Sequence, residues 1–433
     1  MESAKKISFW SAVLISVNII VGAGIFFNPT NIAQVAGSYG FLSWGLIGLI
    51  LFPIVWSLSQ AAHIFPGEGG FFAYCSKGIN RTAGFVALWA YILGYAGTAG
   101  FFCMRLKELC VSQMGMLWAA EHPIIVNLLL IALFSALNLI NAAIVSRLQS
   151  AAALIKLIPL FFVIGVFAFY FGPHVVFTAD GLSNLGLTVP MAIFGFFGFE
   201  ACCCMGHLIE GGPKKASKAI LVAFFSTVIL YMLYHLGLTY IMGTENLASM
   251  GSVNFPQFLG FGSALTVVLQ ALIVFFVLFS VCNAFYGTAS LNISNLSSLA
   301  DMKLLPGRAL LTKTNTAGRP YIIVGLHSIA LFVLTLLVND INVMCVMTCM
   351  GVSTAFFLTL VALLLTYKKR NDYLNLAITC ISFCSYAAIM YFGWMKAGAT
   401  NVDRLTNLAP IIVGMIIGFA LYTFQTRSKK LAN

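Results

Sequence analysis

The sequence predicts an all-α membrane protein of twelve transmembrane helices, on three observations. Hydrophobic residues make up 61% of the 433-residue chain, charged residues only 8%, and mean hydropathy is +0.98. A soluble domain is about 45–50% apolar and about 25% charged, so a single aqueous core cannot absorb this much apolar surface. Second, the apolar residues form long unbroken runs rather than alternating every second position, which excludes the strands of a membrane barrel. Third, the basic residues gather on one side of those runs, as a fixed membrane orientation requires.

A helix needs about 20 apolar residues to cross about 30 Å of hydrocarbon. Runs of that kind are read at 8–33, 40–64, 83–110, 123–144, 149–171, 188–209, 217–242, 263–298, 320–338, 341–366, 374–394 and 407–427. With both termini placed in the cytoplasm, eighteen of the 23 basic residues fall inside, among them Lys77, Arg81, Lys214, Lys215, Lys218 and Lys368-Lys369-Arg370. Arg105, Lys107, Lys396 and Arg404 fall outside, and Lys156 lies within a run. The net charge of +11 is therefore topology, not a nucleic-acid surface. No small-residue cleavage site follows the first run, so a retained helix is expected rather than a signal peptide. The short inner loops suit a bacterial inner membrane.

Eleven cysteines lie almost all within the runs, with no CxxC spacing. Cys202-Cys203-Cys204 reads as helix packing rather than a metal or redox site. No metal or cofactor is expected.

The first run carries Val21-Gly22-Ala23-Gly24-Ile25, and the sixth carries Phe194-Gly195-Phe196-Phe197-Gly198-Phe199. Glycine-interrupted segments at matching places in two halves point to a binding site at the membrane midplane. An unwound helix in lipid exposes N–H and C=O groups that each cost several kcal/mol if unsatisfied, so it persists facing protein or a wet cavity. An amino acid suits such a pair of breaks. Its carboxylate takes freed N–H groups and its ammonium takes freed carbonyls. Gly22 and Gly24 leave room for that approach. The alternative is that these glycines serve close helix packing.

At this point the residues resemble a family. Asn18-Ile19-Ile20-Val21-Gly22-Ala23-Gly24-Ile25-Phe26 resembles the first-helix GxIIGSGIF signature of amino acid–polyamine–organocation transporters. Phe65-Pro66-Gly67-Glu68-Gly69-Gly70-Phe71-Phe72-Ala73-Tyr74 resembles that family's FPxxGGxYxY loop, and Phe197-Gly198-Phe199-Glu200 its GxE segment. Ile209-Glu210-Gly211-Gly212-Pro213-Lys214-Lys215 and Asp301-Met302-Lys303-Leu304-Leu305-Pro306 are similar to two of its cytoplasmic loops. Arg147-Leu148-Gln149 and Leu157-Ile158-Pro159 are similar to the bacterial basic amino acid/polyamine antiporters.

The resemblance implies one leucine-transporter-like domain, 1–433, working by alternating access. It comprises inverted five-helix repeats at 8–171 and 188–366, with helices one and six discontinuous, and two further helices at 374–427. Phe194 stands where the arginine/agmatine type has a gating tryptophan, Thr288 where it has a pocket tryptophan, and Gln60 where an acidic residue is usual. Tyr91 matches a tyrosine of that group. These departures leave the carried side chain open.

A charge in a span needs a reason, since insertion costs about 2.5–3.5 kcal/mol at the bilayer centre. Lys156 has two readings: an amine replacing a sodium ion, as the resemblance implies, or a structural cation on the carbonyls of the broken first helix. Glu200 is either a proton carrier or gate, or a carboxyl hydrogen-bonded within the bundle. His235 and His327 read as interior histidines without metal-ligand spacing. Tyr91, Tyr95 and Tyr286 read either as pocket walls or as packing.

These readings converge on an amino-acid permease that does not need sodium, working by proton symport or exchange. Its site residues are Gly22, Ala23, Gly24, Tyr91, Phe194, Gly195, Phe197, Gly198, Tyr286 and Thr288, with Lys156 and Glu200 coupling or gating. Amino acid/polyamine antiport is the alternative. Paired intramembrane acids or a Ser/His dyad would indicate an enzyme, and repeated filters a channel; neither pattern is in the sequence. The partners expected are a small-molecule amino acid and the bilayer, with homo-oligomerisation open.

Overall fold

In hydrocarbon a backbone must satisfy its own polar groups, and the chain does so with helices. The computed structural model describes residues 8–22, 24–65, 70–140, 154–169, 179–200, 210 and 212–432, and no strand occurs among them. Ala23, Pro66-Gly67-Glu68-Gly69, Arg147-Leu148-Gln149 and Cys202-Cys203-Cys204 lie outside the described residues.

Among the described residues, seven helices are long and apolar enough to cross a bilayer: Leu42–Ile64, Arg81–Met114, Ser217–Met242, Ser263–Asp301, Ile341–Arg370, Tyr373–Met395 and Asn401–Arg427. Phe9–Ile20 and Gly24–Tyr39 form an eighth, bent by 52° at the glycine break. Pro123–Asn138, Ile158–Phe169 and Tyr321–Leu337 are shorter apolar helices within the fourth, fifth and ninth expected runs. Leu128, Leu129, Val267 and Ile416 stay exposed, an outer surface suited to hydrocarbon.

The chain divides into two compact units, Met1–Ile64 with Ser150–Val281, and Phe65–Gln149 with Cys282–Asn433. In the first, Gly212–Met242 is the central helix; Phe9–Ile20, Leu42–Ile64 and Ile158–Phe169 all pack on it. It carries Thr227, Tyr231, His235 and Thr239 at four-residue spacing, a polar stripe on one face, and all four are fully buried.

The second unit is built on Arg81–Met114 against Ile341–Arg370. Lipid supplies little hydrophobic drive between helices, so close van der Waals packing must hold them. A Cβ on Gly97 would come 2.8 Å from the Met344 carbonyl, and one on Gly351 2.5 Å from that of Ala90. The Thr98 and Thr348 hydroxyls meet at 3.1 Å in the same seam. Asn80 and Asp340 cap the two helices through side-chain oxygens, and Lys368, Lys369 and Arg370 sit at the negative end of the second.

Candidate functional site

Both interruptions lie in the first unit, and their backbone groups can be followed one by one. The first helix holds its ladder as far as the Val21 N–H, which donates to Val17 O at 2.8 Å. Helix geometry resumes at Gly24, so the carbonyls of Asn18 and Ile20 lose their regular i+4 donors. Lys156 donates its Nζ to the Asn18 carbonyl. It reaches there from a turn just before Ile158–Phe169, where Pro159 cannot supply an N–H. The phenol of Tyr231 donates toward Ile20 O at 3.1 Å.

The second interruption follows Val189–Phe194. The N–H groups of Gly195 and Phe196 bond back to Ala192 and Ile193, both at 3.0 Å, tightening the last turn. Gly198 has φ +121°, and a Cβ there would lie 2.7 Å from Ile19 O. Only glycine meets both demands. Helical backbone returns at Phe199, and the Glu200 carboxylate accepts the Gly198 N–H at 2.9 Å. Glu200 is fully buried and holds the turn as a cap would.

The two interruptions touch. A Cβ on Gly24 would stand 3.2 Å from Gly195 Cα, so this glycine serves close packing. Gly22 differs: among the described residues a Cβ there would meet only the Ile20 carbonyl, at 3.9 Å. Asn28 adds a bond from its side-chain N–H to Met191 O at 2.7 Å. Tyr231 joins the breaks most directly, since its hydroxyl also lies 3.0 Å from Gly195 O. A phenol has one proton for those two carbonyls, so they share it.

The structure thus brings Gly22, Gly24, Lys156, Gly195, Gly198 and Glu200 onto one pair of breaks. Phe194 is buried beside them and its ring meets that of Phe197, with centroids 6.3 Å apart. Gln60 bonds Ser217 at 3.3 Å, tying Leu42–Ile64 to the central helix.

The remaining candidates belong to the second unit. Tyr91 is buried, 4.8 Å from the Phe71 ring and 4.6 Å from Tyr95. Tyr286 is buried with no hydroxyl partner among the described residues. Thr288 returns its hydroxyl to Phe285 O at 2.9 Å.

Sequence reasoning missed Tyr231, Trp44 and Asn28. The four-residue spacing of Thr227, Tyr231, His235 and Thr239 in an apolar run was the signal available for Tyr231. Trp44 and Asn28 had none, because each matters through a partner far along the chain.

Comparison with known proteins identifies the family. A family model described as amino acid permease matches residues 7–417. The chain belongs to the amino acid permease family. It is a multi-pass membrane transporter of the amino acid–polyamine–organocation superfamily, not an enzyme. The chain is 24% identical to an uncharacterized transporter of Mycobacterium bovis, over 70% of this chain and 68% of that protein. It is 25% identical to an arginine/ornithine antiporter of Lactococcus lactis, over 74% of this chain and 66% of that one. It is 21% identical to a putrescine transporter of Escherichia coli, over 64% and 63%.

Proposed function

We propose that this permease is a secondary active, sodium-independent amino-acid transporter working by alternating access, through proton symport or amino-acid exchange. The observation that carries the reading is the meeting of two interrupted helices, where the Ile20 and Gly195 carbonyls converge on one phenol. The substrate carboxylate would take the amides around Gly22, Ala23 and Gly24, and its ammonium the carbonyls around Phe194–Gly198. Phe194 is the proposed gate, with Phe197 shaping the pocket. Tyr91, Tyr286 and Thr288 are assigned to the side chain on the family resemblance alone. Lys156, already a donor to the first break, stands in for sodium, and Glu200 couples or gates from the second.

With this reading go twelve spans, a single domain with inverted repeats at 8–171 and 188–366, two further helices at 374–427, and cytoplasmic termini in a bacterial inner membrane. Exchange involving a diamine is the second reading, favoured by the name of one relative, the putrescine transporter. A diamine has no carboxylate for the first-break amides, which ranks it lower.

Proteoliposomes test both. Labelled amino acids and diamines are offered with and without a pH gradient, in sodium and in choline. Amino-acid uptake unchanged by choline and abolished by Lys156→Ala is expected. Uptake that requires sodium and ignores Lys156→Ala would sink the coupling scheme. Diamine uptake without amino-acid uptake would replace the substrate assignment.

A further inference from the structure

The carbonyl of Gly195 can receive an ammonium group only if the turn that bears it is held in place, and the structure shows what stands behind that turn. A Cβ on Gly195 would lie 2.8 Å from Cζ3 and 3.3 Å from Cη2 of Trp44, so the indole fills the space of the missing side chain. Trp44 is fully buried and stands edge-on to Tyr231 and Phe196, with centroids 5.0 and 6.1 Å away. Packing alone does not fix how the indole is turned. Its Nε1–H does, by donating to His235 Nδ1 at 3.0 Å.

His235 is fully buried too, and it is seated on a second glycine. A Cβ on Gly40 would come 2.9 Å from its Cε1 and 3.1 Å from its Nε2. Because Nδ1 accepts from the indole, the ring proton of the neutral imidazole lies on Nε2. Nε2 has no partner among the described residues. Among the described residues, the indole bond is thus the hydrogen bond that holds the imidazole. Two aromatic rings, each occupying the place of an absent side chain, connect the central helix to the second break.

We propose that Trp44 and His235 are positioning residues that brace the Gly195 turn and thereby set the affinity of the site for the ammonium group of its substrate. The proposal rests on the reading of the two breaks as an amino-acid site. Without the Nδ1 acceptor, the buried indole N–H must turn toward another partner, because an unsatisfied buried donor is costly. The ring then leaves Gly195 unsupported. Asparagine places an amide oxygen where Nδ1 stands, whereas leucine offers no acceptor.

The test uses the full chain in proteoliposomes and the amino acid that the wild-type protein takes up best. His235→Leu should raise KM about tenfold while the maximal rate stays within about twofold, and His235→Asn should bring KM back to within about twofold of wild type. Trp44→Phe removes the indole donor, so adding His235→Leu to it should leave KM where Trp44→Phe put it. That pair also serves if His235→Leu alone does not fold. Equal KM increases for the Leu and Asn variants would overturn the proposal, as would a further KM change on adding His235→Leu to Trp44→Phe. So would an active His235→Leu variant whose only defect is a lower melting temperature. Wild-type protein that takes up no amino acid would remove the functional reading and this proposal with it; an unaltered KM in an active variant removes this proposal alone.

Discussion

Tyr231 ties the two breaks together, because one hydroxyl faces the Ile20 and Gly195 carbonyls across them. In a buried environment each such hydrogen bond contributes about 1 kcal/mol net, and an unmatched acceptor costs about 1–3 kcal/mol. Tyr231→Phe keeps the ring against Trp44 and Phe196 but removes the donor. Uptake KM should rise roughly five- to tenfold, with detergent melting lowered by a few degrees. A Phe variant with wild-type KM would show that the phenol is packing alone. Lys156 works on the same principle, since the carbonyl it takes at Asn18 is one that the break sets free. The sequence had already offered that structural reading of the lysine beside the coupling one, and the two are compatible: an amine that holds the break is also placed to respond when the break moves.

At the scale of the element, the two interruptions share a composition and differ in what their glycines do. Gly198 is held by its backbone, with φ +121° and the Ile19 carbonyl where a Cβ would go. Gly198→Ala should therefore destabilise the protein by about 1–3 kcal/mol, read as a lower melting temperature in detergent. Gly22 meets no such neighbour among the described residues. Gly22→Ala should melt within about one or two degrees of wild type and yet lose affinity for a carboxylate-bearing substrate. Equal melting losses for both variants would refute the distinction. In the sequence these glycines were equivalent marks in two apolar runs. Close packing and ligand approach were rival explanations there; in the structure Gly24 packs on Gly195, whereas Gly22 has no such close neighbour among the described residues.

For the whole molecule, the strongest expectation concerns orientation. Eighteen of 23 basic residues fall on one side of the expected topology, an asymmetry that an odd number of spans would scramble. A green fluorescent protein joined to the C-terminus should therefore fluoresce in bacterial cells, and alkaline phosphatase joined there should be inactive. The opposite pattern would reverse the topology and exchange the faces assigned to Lys77 and Arg105. The long runs needed no tertiary information: Arg81–Met114 and Ile341–Arg370 begin and end within a few residues of their apolar stretches, trimmed by caps at Asn80 and Asp340. Ile158–Phe169 was less legible, because Lys156 and Pro159 halt regular helix inside a continuous apolar run.

What the sequence determined by itself was the membrane class, the approximate limits of the long helices and the location of both breaks. Hydropathy, glycine placement and charge asymmetry are local properties, each readable within a window of about 20 residues. What only the tertiary structure decided was the fate of the freed backbone groups. Lys156 lies 138 residues from Asn18, Tyr231 lies 211 from Ile20, and His235 lies 191 from Trp44. An unwound carbonyl in a membrane must find a donor somewhere. The sequence shows that the need exists, and folding alone brings the distant side chain that meets it.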